Sequence, residues 1–250
     1  MAENKKASMA LDDLLSRQDY LVTQANDLAK AFGNLSAFEH KVLDYCFSFV
    51  TKDSKTSDTY KVDSLDIVHH FGLTKSGRNY ERIAQAFKTL NEHTALYFAI
   101  EENGKRGVLM TQLFGHIKFL EDGEVSFKFS EDAAPYVFAL KRNYYSFRLG
   151  DLARVKSKYT LVLLKLWQAN MMGVDQPHVT IEGTLDDWEG WLLGDDRRWP
   201  AGRFKRDTLD VALDELEAKF GVSVIVTVQK RGVKVVGYSV DITSTRALVN

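Results

Sequence analysis

Apolar positions along this chain change period several times, and each change marks an element. Phe38, Val42, Tyr45, Cys46 and Phe49 recur at helical spacing behind Ser36 and Glu39, two residues whose side chains satisfy each other's orphan backbone donors, so a helix is predicted over 37–50. Asp63 or Ser64 caps a short second helix with Leu65, Val68 and Phe71 inside, and Gly72 supplies the left-handed residue that ends it. After a turn at 73–77, Tyr80, Ile83, Phe87 and Leu90 mark a third helix over 79–92. The period then drops to two. A strand over 95–100 runs into Asn103-Gly104, a dipeptide suited to a type I′ turn because both residues tolerate positive φ, and the return begins at Arg106. Asp122-Gly123 signals another hairpin, with Val125, Phe127 and Phe129 alternating against Glu124, Ser126 and Lys128. Pro135 opens a short apolar helix to Leu140, and Lys141-Arg142-Asn143 reads as a linker.

The second half repeats the order. Tyr159, Leu163, Leu164, Trp167 and Met171 predict a helix over 158–171; Thr184 caps a short one carrying Leu185, Trp188 and Leu192 and ended by Gly194. Phe204, Leu209, Ala212, Leu213, Leu216 and Phe220 predict a long helix over 203–220 with Gly221 as its stop. Strands over 222–228 and 233–242 then flank Lys230-Arg231-Gly232, and the letters KRGV occur at 105–108 and again at 230–233. Three helices followed by a β-hairpin is the order of a winged helix. Its repetition predicts an α+β chain of two tandem winged-helix domains, each a helix-turn-helix with a hairpin wing: an arm at 1–20, one domain at 21–142 and a second at 143–250.

Composition narrows the chemistry. With 45% hydrophobic and 27% charged residues, the 250-residue chain is neither disordered, collagenous nor a disulfide scaffold. One Cys and six His make no disulfide and no spaced zinc quartet, which points to a reducing cytoplasm and to no metal. The first twenty residues lack an apolar leader core, and no apolar run approaches the roughly 20 residues that cross a bilayer. A net charge of -1 means that any contact with a polyanion must come from local patches rather than bulk attraction.

Such patches exist. Arg197, Arg198, Arg203, Lys205 and Arg206 lie within ten residues with no acid between them. On the exposed face of the long helix Arg203 and Arg206 come first, and Asp207, Asp210, Asp214 and Glu217 follow. The helix macrodipole favours the opposite order by about 0.3 to 1 kcal/mol per charge, and a local rule broken this way points to function. The N-terminal end of a recognition helix is the part that meets base edges in the major groove. A solvated loop paired with Asp195, Asp196 and Asp207 is the alternative. A weaker copy occurs in the first half, where Lys75, Arg78, Arg82 and Gln85 precede or line the 79–92 helix; Arg pairs with guanine and Gln with adenine. Lys105 and Arg106, and Lys230 and Arg231 with Lys234, are read as wing tips placed to touch phosphates.

Other constellations fall away. Gly72 to Gly77 has the glycine spacing of a phosphate loop, but Arg78 and Asn79 stand where Lys and Ser/Thr are required, and a helix rather than a strand precedes it. His69 and His70 are adjacent and cannot share one face as metal ligands. Trp188 falls on a core stripe, leaving Trp199 as the one tryptophan placed to approach DNA. No nucleophile, acid–base pair or cofactor cradle emerges, so neither catalysis nor a cofactor is expected.

The stretches FRLGDLARVKSKYTLVLLKLW (147–167), FKRDTLDVALDEL (204–216) and QKRGVKVVGYSV (229–240), with NDLAKAFGNLSAFEHKVLDYCFSFV (26–50) upstream, resemble the iteron-binding plasmid replication initiators of the Rep_3 type. Leu164 stands where that family often has Tyr, and Val211 where it often has Pro. The resemblance implies a protein that binds direct repeats in a plasmid origin as double-stranded DNA, opens an adjacent AT-rich segment and recruits the host replication machinery. It also implies a homodimeric repressor form and a monomer on the repeats, with Ser157, Lys158, Arg203, Lys205 and Arg206 in the DNA-contacting block. Strands over 95–120 are the expected dimer contact, because an exposed strand edge can pair with a second chain. A tandem winged-helix transcription regulator, a winged-helix protein-interaction module and a nicking enzyme are the rival readings.

Overall fold

The computed structural model describes residues 21–138, 144–171, 178–194 and 197–244. These gather into two compact units: residues 21–23, 41–138 and 148–150 form one, and residues 24–40, 144–147 and 151–244 the other. Residues 24–40, expected within the first domain, therefore pack with the second unit. The reason is non-local: the Lys158 ammonium donates to the Gly33 carbonyl at 2.7 Å, and the Lys30 ammonium lies 5.4 Å from the Trp191 ring centroid. The 1–20 arm and the linker at 141–143 lie outside the described residues.

The chain enters through strand β1 (Leu21–Ala25), a 3-10 turn (Asn26–Lys30) and helix α1 (Ala37–Phe47), whose start shows the reciprocal Ser36–Glu39 pairing. In the first unit β2 (Tyr60–Asp63) leads directly into α2 (Ser64–His70), because Asp63 ends the strand and its carboxylate caps the helix by accepting from the Leu65 amide at 2.7 Å. Gly72, at φ 61°, turns the chain toward α3 (Gly77–His93), capped by Ser76. Strands β3 (Ala95–Glu102) and β4 (Lys105–Gln112) form a sheet of their own, while β5 (Phe114–Phe119) and β6 (Glu124–Phe129) join β2 in the order β2-β6-β5. An aromatic cluster fills the space between this sheet and the helices, with Phe47 and Phe114 lying 5.0 and 5.2 Å from Phe129. A short helix α4 (Ala134–Val137) follows.

Next come β7 (Tyr144–Arg148), paired with β1, and a short helix α5 (Leu149–Ala153). The second unit continues with α6 (Lys158–Met171), β8 (His178–Thr184) and α7 (Leu185–Leu193), where Thr184 and Asp187 form a complete capping box. Helix α8 is continuous through Ala201–Phe204, a π-helical turn at Lys205–Leu209, and Asp210–Phe220. Strands β9 (Val222–Arg231) and β10 (Lys234–Ser244) complete a sheet in the order β8-β10-β9. Each unit thus has the same plan, a strand leading into two helices and then a hairpin whose second strand pairs with the first. This is the winged helix, present twice.

The shared plan corrects one expectation. The wing of the first unit is β5–β6, the counterpart of β9–β10, and β3–β4 is an additional hairpin. Lys105 and Arg106 therefore do not occupy a wing tip. The KRGV stretches are not equivalent either: the first follows the Asn103-Gly104 turn, whereas Gly232 and Val233 of the second form the turn itself, between the paired Arg231 and Lys234. Strands β2 and β8 are also absent from the sequence reading. They are short and carry few apolar residues, Val62 in one and Val179 and Ile181 in the other, and are held by partners more than 50 residues away.

Candidate nucleic-acid interface

The basic run from Arg197 to Arg206 leads into helix α8, whose start is fixed from beneath. Phe204 is fully buried, its ring 5.9 Å from that of Tyr238, and the Tyr238 hydroxyl donates to the Ala201 carbonyl at 3.0 Å. Trp188, fully buried in α7, donates its indole N–H to the Tyr238 carbonyl at 2.9 Å. Glu215 clamps the other side. Its carboxylate accepts the backbone amides of Lys156 and Ser157 at 2.8 and 2.9 Å and pairs with Lys219 at 2.7 Å. Burial alone would raise its pKa, but Lys219, the two amides and the Thr160 hydroxyl hold it down to about 2.

No side chain caps the first turn of α8, which begins after Pro200, whereas Asp63, Ser76 and Thr184 cap theirs. The π-helical turn begins at the end of the basic segment, with Lys205 and Arg206 as its first residues. There the Asp210 amide reaches back to the Lys205 carbonyl, and the buried Thr208 hydroxyl donates to the Phe204 carbonyl. Single π turns inside α-helices occur often at functional sites.

The cations divide into two sets. Lys158, Arg198 and Lys205 are engaged internally. Burial, followed by the nearby charge of Arg197, brings the Lys158 ammonium down to about 8, and its proton points to the Gly33 carbonyl. Arg198 bonds Asp186 at 2.5 Å and the Gly194 carbonyl at 3.2 Å; Lys205 pairs with Asp210 at 2.5 Å. Ser157 accepts from the Tyr159 amide and serves the start of α6. Arg203 and Arg206 are more open, with side chains 55% and 74% exposed, and Arg197 is exposed too. Both meet Asp207, Arg206 through Nε at 2.6 Å and Nη2 at 3.0 Å, Arg203 through Nε at 3.6 Å. The Arg206 hydrogen bond holds the Asp207 carboxyl below its usual range. Trp199 lies under Arg203, the guanidinium 4.2 Å from the ring centroid. Asp207 entered the sequence reading as an acid of the exposed face and a neutralising partner, and Trp199 as a DNA contact; their geometry makes them supports for two arginines. Solvent screens exposed pairs of this kind, so they do not lock the guanidinium groups away from a stronger anion.

In the first unit Lys75, Arg78, Arg82 and Gln85 are all exposed at or before the outer face of α3. Gln85 contacts Thr89 at 3.4 Å. The two wings differ in sign. The β5–β6 turn carries Glu121 and Asp122, whereas Lys230, Arg231 and Lys234 surround the β9–β10 turn and are all exposed. Lys105 and Arg106 are exposed on the additional hairpin. Among the described residues no cluster of His, Cys, Asp and Glu could hold a metal, and no helix is long and apolar enough to cross a membrane.

Comparison with known proteins assigns both halves. Residues 21–168 match the family described as initiator replication protein, WH1, and residues 184–242 match initiator Rep protein, WH2. No curated protein matches the chain. Among solved structures, the Pi initiator protein in complex with iteron DNA superposes with a TM-score of 0.71 at 17% identity, covering 92% of this chain and 99% of that one. Domains 2 and 3 of RctB give 0.46 at 15% identity, over 88% of this chain and 83% of theirs. With a WH1 and a WH2 domain matched in order over most of its length, and both folded as winged helices, the chain belongs to the Rep_3 family of replication initiator proteins.

Proposed function

We propose that this initiator binds direct repeats in a plasmid origin, with α3 and α8 in successive major grooves of one duplex. The observation that carries the reading is the pair of exposed guanidinium groups, Arg203 and Arg206, on the first turns of the uncapped helix α8. Successive grooves on one face lie about 10 bp apart, so a repeat of about two turns fits one monomer. The likeness to the Pi initiator, whose structure holds iteron DNA, supports binding to such repeats. Arg197, Arg203 and Arg206 serve the second repeat half, Lys230, Arg231 and Lys234 its flanking phosphates, and Lys75, Arg78, Arg82 and Gln85 the first half. Opening of the neighbouring AT-rich segment is driven by binding energy, without bond chemistry or a cofactor of this chain's own, and host replication proteins in the cytoplasm complete initiation.

A dimeric repressor form belongs to the same reading. The additional β3–β4 hairpin carries Tyr97, Val108 and Met110 with exposures of 68%, 61% and 71%, an apolar surface that a second copy would cover.

Arg206→Ala is expected to weaken repeat binding and relax base preference by about 1 to 3 kcal/mol, whereas Lys230→Ala weakens every duplex alike and flattens the salt slope by about one. Binding isotherms on a footprinted repeat and on a scrambled duplex check both. Equal wild-type affinity for the two at physiological salt would overturn the proposal, and failure of a plasmid bearing gene and repeats to replicate would leave a transcription regulator.

A further inference from the structure

The side-on geometry of the Arg206–Asp207 pair leaves the reading end of the arginine free. A guanidinium has five N–H donors. Asp207 takes the Nε proton at 2.6 Å and one Nη2 proton at 3.0 Å, so both Nη1 protons and the second Nη2 proton remain. The outward Nη1 proton and the remaining Nη2 proton make up the fork that pairs with guanine O6 and N7. A carboxylate that merely competed with DNA would occupy that fork. Here it holds the opposite edge, and it does so within the π-helical turn at Lys205–Leu209. The same carboxylate lies 3.6 Å from Arg203 Nε, and Trp199 supports that second guanidinium from its face.

We propose that Asp207 is a positioning residue for base recognition, fixing the Arg206 guanidinium edge-on so that its free fork meets a guanine. The inference rests on the proposed function and adds one consequence to it. Asp207 sits among phosphate-seeking cations, so its negative charge costs affinity for any duplex. What it supplies is discrimination.

The test uses the full-length protein, with isotherms measured on the footprinted repeat and on a scrambled duplex of equal composition. For each preparation the quantity read is the ratio of the two affinities, which is insensitive to the fraction of folded protein. Asp207→Ala should lower that ratio about tenfold, the size of one lost base contact, while scrambled DNA binds equally well or better. Asp207→Glu should restore part of the ratio. In an Arg206→Ala background Asp207→Ala should change the ratio far less, because only the longer 3.6 Å contact with Arg203 is then lost. An undiminished ratio in Asp207→Ala, or an equal loss with Arg206 already absent, would overturn the assignment while leaving repeat binding intact. Wild-type protein that does not distinguish the two duplexes would overturn the proposed function and this inference together.

Discussion

Replacing Trp188 by alanine is expected to destabilise the second unit by about 3 to 5 kcal/mol, the range for deleting a large buried aromatic. The indole is fully buried, packs edge-on at 5.0 Å against Trp191, and donates to the Tyr238 carbonyl. Tyr238 in turn holds the first turn of α8 through its hydroxyl. The loss therefore spreads beyond a cavity: the platform under the cationic helix loosens, and DNA affinity should fall although no contact residue has changed. Trp188→Phe keeps most of the apolar volume and loses the hydrogen bond, and should cost less. Thermal or urea unfolding followed by tryptophan fluorescence and far-UV circular dichroism ranks the two. A Trp188→Ala protein as stable as wild type would refute the packing role assigned to this side chain.

Glu215→Gln is expected to cost about 2 to 4 kcal/mol at neutral pH, because a charged acceptor of two backbone amides and an ammonium is replaced by a neutral group with a single acceptor oxygen. The pH dependence gives the assignment a sharper signature. The native carboxyl is held at about 2 against an ordinary value of 4.5. A depressed carboxyl stabilises fully above its unfolded value, and that contribution fades as pH falls toward its native value. Wild-type stability should thus decline between pH 4.5 and about 2, and the gap to Glu215→Gln should close over the same interval. A gap that stays constant down to pH 2 would mean that the carboxylate is not the clamp. Since Glu215 joins α8 to the residues before α6, the same change should also weaken DNA binding at neutral pH.

Turns and caps were legible in the sequence because each rests on one residue with one physical requirement. Asn103-Gly104 and Gly221 take positive φ as expected, and Asp63 and Thr184 cap the helices they precede. Elements held by distant partners were not. Little local marks Tyr60–Asp63 as a strand, since four residues show no period; in His178–Thr184 the alternation of Val179 and Ile181 with polar neighbours is a short signal, and in both the hydrogen bonds come from distant strands, β6 and β10. The π-helical turn was hidden for a related reason. Thr208 is fully buried through its bond to the Phe204 carbonyl, but a polar residue does not register as an inside position in an apolar pattern. Basic residues on α8 could be named from charge order alone. Which nearby cations are engaged internally could not, because Gly33 and Asp186 meet Lys158 and Arg198 only through tertiary folding, and Asp210 meets Lys205 at a spacing of five residues across the hidden π-helical turn.

Residues 24–40 give the chain an interleaved architecture with a practical outcome for dissecting it. Cutting the chain between the two halves would separate the Lys158 ammonium from the carbonyl that receives its proton, and would uncover Trp191 where Lys30 now lies. Gly33 fits so tightly there that a methyl group at its α-carbon would come within 2.4 Å of the Trp191 carbonyl. A carboxy-terminal fragment is thus a folding module with a missing piece, and exchanging halves between relatives would join surfaces that never evolved together. The smallest transferable DNA reader of this protein carries its amino-terminal strap along with it.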